Sequence, residues 1–167
     1  VVVQSARSNT ARKSSLDIEA SAAIDKAREA ITSFLANRPD SPSVQLSALE
    51  LDIDEATRAA ILGKTGSAVM IAAKEKRIGF IPRLDPIAES MKKLGPTGVE
   101  PGTLARFMVA ETLIDPASKR ARTQGVLNDF IARQPDHFFA MQLQADMLAE
   151  KGDTDGAIAL LQKIVDL

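Results

Sequence analysis

The sequence HFFAMQLQADMLAEKGDTDGAIALLQKIVDL, residues 137–167, predicts two helices joined by a tight turn. Apolar residues recur at three- and four-residue steps on both sides of Gly152, which is typical of amphipathic helices. Gly152 readily takes the left-handed conformation that ends a helix, and Asp153 is well suited to begin the next one. We therefore predict helices at about 137–151 and 154–167.

A second feature of the sequence is a phrase that occurs twice. FLANRPD at residues 34–40 returns as FIARQPD at residues 130–136, with Phe, Ala, Pro and Asp at matching places. The two copies are ninety-six residues apart, close to three periods of about 33 residues, and a fixed period in this range is typical of helical solenoids. The phrase favours repeated helical hairpins. The alternative is coincidence, because helices often end in a polar residue followed by Pro-Asp.

Residues 101–167 resemble tetratricopeptide repeats, a family of stacked helical hairpins. In the C-terminal hairpin, Ala145 and Ala157 take the family's small positions, where two helices cross. A weaker copy precedes it, with Thr123 in place of a crossing alanine. The family's aromatic residues are absent. The residues that carry the resemblance are Met141, Gln144 (Leu in the family), Ala145, Leu148, Ala157 and Leu161, and in the earlier copy Val109, Ala110, Leu113, Leu127 and Phe130.

In tetratricopeptide proteins the first helix of each hairpin lines a concave groove that holds a peptide or helix of another protein. The resemblance implies that such a groove in this chain is lined by Leu104, Phe107, Glu111, Ile114, Phe139, Gln142, Asp146 and Ala149. Their apolar and acidic side chains suit a partner with apolar and basic groups. The alternative for Phe107 and Phe139 is that they belong to the core.

The rest of the chain is predicted to contain an arm and a helical region. Residues 1–15 are rich in Ser and Arg and lack an apolar period, which indicates a flexible polar arm. The three valines at its start also suit the remains of a membrane anchor that is missing here. Residues 16–100 show helical periodicity, and Gly-Pro-Thr-Gly at 95–98 marks the boundary with the repeats at 101–167.

Residues 41–100 do not match the repeat pattern, and they are either worn repeats or a separate helical cap. Asp52 and Glu55 predict a capping box that starts a new helix within this region. The helices that we predict between the first repeat phrase and the C-terminal hairpin lie at about 43–51, 52–62, 67–77, 86–94, 102–114 and 116–133.

Composition favours an all-α protein without a cofactor. The hydrophobic fraction is 45% and is dominated by Ala, Leu and Ile, which favour closely packed helices. The net charge of −1 provides no field that would attract nucleic acid or anionic lipid. Cysteine is absent, which excludes disulfides and fits a cytoplasmic or a periplasmic location equally. His137 is the single histidine, so two-histidine metal sites are also excluded.

Short motifs that suggest enzymes lack the context that they require. Gly-Lys-Thr at residues 63–65 resembles the end of a phosphate-binding loop, but Arg58 stands where that loop needs a glycine. Lys-Thr-Gly at 64–66 and the Ser-x-x-Lys that begins at Ser90 match penicillin-binding motifs, but in reversed order and without a Ser-Asp-Asn element. We therefore expect no enzymatic activity.

These features together predict a protein-binding scaffold module that holds a peptide or helix of an unidentified partner in a concave groove. The alternative is a self-assembly module of a larger, membrane-anchored bacterial assembly. In that case the apolar C-terminal helix, with Ile164, Val165 and Leu167, would form a homo-oligomer, because an exposed solenoid end needs to be covered.

Overall fold

The computed structural model describes the backbone of residues 2–167 and the side chains of residues 19–167. All regular structure in this part of the chain is helical, which confirms the all-α prediction. Eight α-helices occur within residues 2–167: α1 (Val2–Asn37), α2 (Pro42–Ile61), α3 (Ser67–Ile78), α4 (Leu84–Leu94), α5 (Pro101–Ile114), α6 (Ala121–Arg133), α7 (Phe138–Glu150) and α8 (Thr154–Val165). Short 3₁₀ helices at Ile81–Arg83 and Pro116–Ser118 precede α4 and α6.

The chain divides into two compact units, Val1–Pro39 and Asp40–Leu167. The first unit consists of α1. Its backbone is helical from Val2 onward, which differs from the irregular arm predicted for residues 1–15. Residues 2–37 contain neither Gly nor Pro, so no residue in this segment is a strong helix breaker.

The second unit has one apolar core, to which α2, α4, α5, α6 and α7 contribute. Burying one large apolar side chain in such a core stabilises a fold by about 1.5–3 kcal/mol relative to leaving it exposed. The core includes residues on both sides of the turn at 95–98, where the sequence suggested a domain boundary. That turn therefore lies within a single packed unit. The fully buried core residues include Leu46, Leu84, Met91, Phe107, Leu127 and Phe130.

Helix α2 runs through a position where the sequence predicted a break. The segments expected at 43–51 and 52–62 form one helix, and Asp52 lies in its interior. The Asp52 carboxylate accepts a hydrogen bond from the guanidinium of Arg83, in the 3₁₀ helix before α4. The predicted capping box is therefore wrong. Asp52 contributes a tertiary ion pair instead, and no Gly or Pro between 43 and 61 interrupts the helix.

The segment predicted as one helix at 116–133 begins instead with a 3₁₀ helix, Pro116–Ser118, which is separate from α6. After the 3₁₀ helix, Lys119 and Arg120 have positive φ angles of 50° and 63°, and α6 begins at Ala121. The left-handed conformation costs a non-glycine residue about 1–2 kcal/mol. Such a turn persists only where the surrounding contacts stabilise it.

The hairpin of α7 and α8 has the predicted turn. Gly152 is left-handed with a φ of 83°, and the Asp153 side chain accepts a hydrogen bond of 2.9 Å from the backbone N–H of Gly156. Ala145 and Ala157 are buried. At the start of α7, His137 Nδ1 accepts a hydrogen bond of 3.1 Å from the Ala140 N–H. This histidine is therefore a helix cap.

Candidate functional site

Half of the predicted groove residues lie in the protein core. Leu104, Phe107, Glu111 and Ile114 of α5 are each between 0% and 1% exposed. Side chains this deeply buried offer almost no surface to a partner. The α5 half of the predicted groove is therefore corrected: Leu104, Phe107 and Ile114 belong to the core, and of the four only Ile114 also borders a surface groove, described below.

The other half of the predicted set lies on α7. Gln142, Asp146 and Ala149 are exposed on one face of this helix, whereas Phe139 is partly buried and packs against the core. The structure thus separates the predicted residues into a buried group on α5 and a mostly exposed group on α7. The eight residues do not form one continuous surface.

Glu111 is buried because its carboxylate caps another helix. It accepts hydrogen bonds from the backbone N–H groups of Arg122, at 3.0 Å, and Thr123, at 2.8 Å, in the first turn of α6. The hydroxyls of Ser118 and Thr123 donate two further bonds, of 2.9 and 2.7 Å. Arg120, at the N-cap of α6, provides no capping side chain. Glu111 satisfies the free N–H groups in its place.

The charge of Glu111 is balanced by Arg122, whose guanidinium lies 3.6 Å from the Glu111 carboxylate. The same guanidinium pairs with Asp115 at 2.8 Å and with Asp85 at 2.6 Å. Burial lowers the pKa of Arg122, but its hydrogen bonds to Asp85 and Asp115 raise the pKa well above the ordinary value, so the side chain stays charged. This cluster connects α4, α5 and α6 through three carboxylates that all pair with Arg122.

The opposite face of α5 is open and apolar. Val109 and Leu113, two of the residues that carry the resemblance to the repeat family, are 54% and 55% exposed. They lie one helical turn apart beside α2 and α3, where they line a groove of about 440 Å³. We call it the α2–α3–α5 groove. The residues that define it are Ile53, Thr57, Arg77, Ala105, Val109 and Leu113.

Most charged residues at this groove have partners within the protein. Arg106 forms two hydrogen bonds with the Glu50 carboxylate, and these bonds raise the pKa of Arg106. Arg106 also donates a bond of 2.9 Å to the Ser47 hydroxyl. Asp54 pairs with Arg58 at 2.7 Å. These contacts link α2 to α5 and leave little free charge along the rim.

Arg77 is the exception among the charged residues that line the groove. It is partly buried, and its side chain has no ion pair or hydrogen bond with any residue of the described part of the chain. The Thr57 hydroxyl also lacks a hydrogen-bond partner there, but protein atoms cover it. Arg77 is thus the charged residue of the groove lining whose side chain has no partner among the described residues, whereas the Thr57 hydroxyl is covered.

Sequence reasoning placed a groove on α5 and chose the face of this helix that the structure buries. Helix α5 has apolar residues on nearly all sides, so its periodicity does not indicate which side is buried. Sequence reasoning also left out Ile53 and Arg77, which line the open groove. A signal for Arg77 was present, because no acidic residue lies three or four positions from it along the chain.

The described residues provide no metal site and no transmembrane segment. In residues covered by the structure, no three His, Asp or Glu side chains are arranged to hold a metal ion. No helix within that same part of the chain has the length and apolar character needed to cross a membrane. No protein-family model, curated protein or solved structure matches the chain significantly. We therefore infer a function from the groove itself.

Proposed function

We propose that this protein is a binding module that holds a helical segment of a partner protein in the α2–α3–α5 groove. The observation that carries the proposal is the exposure of Val109 and Leu113 by more than half, side by side within an apolar groove. Removing neighbouring apolar side chains from water is favourable, so their burial against a partner would stabilise a complex.

Core packing and an ion pair fix the position of the α5 side of the groove, which favours binding. Ala110 and Ile114 also line it, and both are buried members of the core. The Glu50–Arg106 ion pair holds α2 against α5 at the rim. A preformed groove loses little conformational entropy on binding, so more of the contact energy contributes to affinity.

The shape of the groove favours a helix over a small molecule. Ile53 and Thr57 on α2 are four residues apart, as are Val109 and Leu113 on α5. Rows with this spacing form the ridges between which another helix packs its own side chains. Small-molecule pockets usually cover about 70–90% of their ligand, whereas Val109 and Leu113 in this groove are each more than half exposed to solvent.

We also propose that α7 and α8 form a hairpin of the tetratricopeptide type. The left-handed Gly152 in the turn supports this, as does the burial of Ala145 and Ala157 at the positions where that family has small residues. The turn between α5 and α6 departs from the pattern, with Thr123 bonded to Glu111. A solenoid arrangement of residues 101–167 stays part of this proposal.

The test uses a displayed library of helical peptides about 16 residues long, roughly 24 Å at 1.5 Å per residue. Peptides selected on the wild type are measured against Leu113→Asp. Burial of one leucine contributes about 1.5–3 kcal/mol, so we expect affinity to fall at least tenfold. Met70→Asp is the matched control, because Met70 is an exposed apolar residue of α3 outside the groove. Binding that Leu113→Asp leaves intact, or the absence of any selected peptide, would refute the proposal.

A second candidate function, self-assembly, is favoured by the outer face of α8. Ile158, Leu161 and Val165 are exposed along one stripe of this helix, while Ala157 on its inner side is buried. An exposed apolar stripe of this kind suits contact with a second copy of the chain. Sedimentation over a range of concentrations tests it, and a constant monomer mass at tens of micromolar would exclude it.

A further inference from the structure

We infer that the helix held in the α2–α3–α5 groove carries an acidic side chain that pairs with Arg77. The inference rests on the proposed function and specifies the chemistry of the partner. It reverses the charge expected from the sequence, where acidic groove residues suggested a basic partner. Glu111 was one of those acids, and the structure shows it buried and fully engaged in capping α6.

Arg77 differs from the other charged residues along the groove in having no partner of its own. Glu50 and Arg106 pair with each other, and Asp54 pairs with Arg58. Within the described residues, Arg77 has neither an ion pair nor a hydrogen bond through its side chain, although the residue as a whole is partly buried beside an apolar surface. A guanidinium without a counterion can bind both oxygens of a carboxylate at once.

The position of Arg77 at a helix end offers a competing explanation. Basic residues in the last turn stabilise a helix through its dipole, and Arg77 lies in the last turn of α3. Lys76 lies in the same turn, however, and it is exposed to solvent away from the groove lining. The dipole accounts for a basic residue in this turn. It does not account for the placement of a second, unpaired one in an apolar groove.

The surroundings of Arg77 also determine where the acidic residue lies on the bound helix. Val109 and Leu113 are about 6 Å apart along the axis of α5, and they would contact apolar side chains one turn apart on the partner. Arg77 lines the same groove from α3. The carboxylate therefore belongs on the flank of the partner's apolar stripe that faces α3, within reach of a long arginine side chain.

The experiment repeats the peptide selection with charge variants of the full chain. The library is selected separately on the wild type, on Arg77→Glu and on Lys76→Glu, which makes the same change of charge one residue away. We expect Asp or Glu to be enriched beside the apolar stripe with the wild type and with Lys76→Glu, and Lys or Arg with Arg77→Glu. For a selected peptide, replacing its acidic residue by Gln should weaken binding to the wild type by about fivefold to tenfold.

The outcomes separate this inference from the proposed function. If selected peptides lose binding to Leu113→Asp but show no acidic enrichment, the groove binds helices and the role of Arg77 is refuted. Equal shifts for Arg77→Glu and Lys76→Glu would refute it as well, because they would reflect net charge alone. If Leu113→Asp binds every selected peptide as well as the wild type does, both proposals fail. Arg77→Gln removes the charge without reversing it and disturbs the fold less than Arg77→Glu does. It should also abolish the acidic enrichment, which verifies that this loss of enrichment does not come from altered folding.

Discussion

Replacing Glu111 by Ala should lower the free energy of unfolding of the Asp40–Leu167 unit by about 3–5 kcal/mol. The carboxylate is fully buried and accepts two backbone and two hydroxyl hydrogen bonds. Alanine would leave these donors without their acceptor, at about 1–3 kcal/mol for each one that water cannot reach. It would also leave a cavity beside Arg122. The total is a large part of the 5–15 kcal/mol that is usual for a domain.

Two further variants separate the components of this effect. Glu111→Gln keeps the volume and one acceptor oxygen, so we expect a loss of about 1–3 kcal/mol. Thr123→Val removes a single hydroxyl that bonds to Glu111, so we expect about 1 kcal/mol. Urea unfolding followed by circular dichroism measures all three variants, with the slope m compared between them to verify that the unfolding transition is unchanged.

Hydrogen exchange provides a local test of the same contact. The backbone amides of Arg122 and Thr123 donate to Glu111, so Glu111→Gln should speed their exchange more than that of amides in the middle of α7. The reasoning would be refuted if Glu111→Ala destabilised the protein no more than Thr123→Val does. Unchanged exchange at Arg122 and Thr123 would refute it as well.

Two further predictions concern the hairpin of α7 and α8. Gly152→Ala should destabilise the hairpin by about 1–2 kcal/mol, because a φ of 83° disfavours any residue with a Cβ atom. The control is Gly102→Ala, at a glycine without positive φ and with open space around it, and it should change the unfolding midpoint little. Ala157→Leu should cost about 1–3 kcal/mol by overpacking the buried face of α8. Ala159→Leu on the exposed face is its control, and equal midpoints for the two leucine variants would contradict the buried position of Ala157.

Features encoded by a few neighbouring residues were predictable from the sequence. Gly152 and Asp153 define the turn between α7 and α8, and Pro101 marks the start of α5 in the structure as well. These signals act within one helical turn, through backbone conformation and hydrogen bonds to nearby N–H groups. The all-α class follows in the same way from an Ala- and Leu-rich composition without strand patterns.

The faces of the helices and the location of the groove were decided by tertiary packing. Helix α5 is apolar on both of its sides, and its packing against neighbouring helices such as α2 and α6 determines that Phe107 is buried while Val109 is exposed. Asp52 forms its hydrogen bond with Arg83, and Glu111 with the start of α6, and both partners are distant in sequence. Burial and charge pairing are properties of neighbours in space. Periodicity along the chain therefore predicts where helices form, but not which side of a uniformly apolar helix stays exposed to solvent.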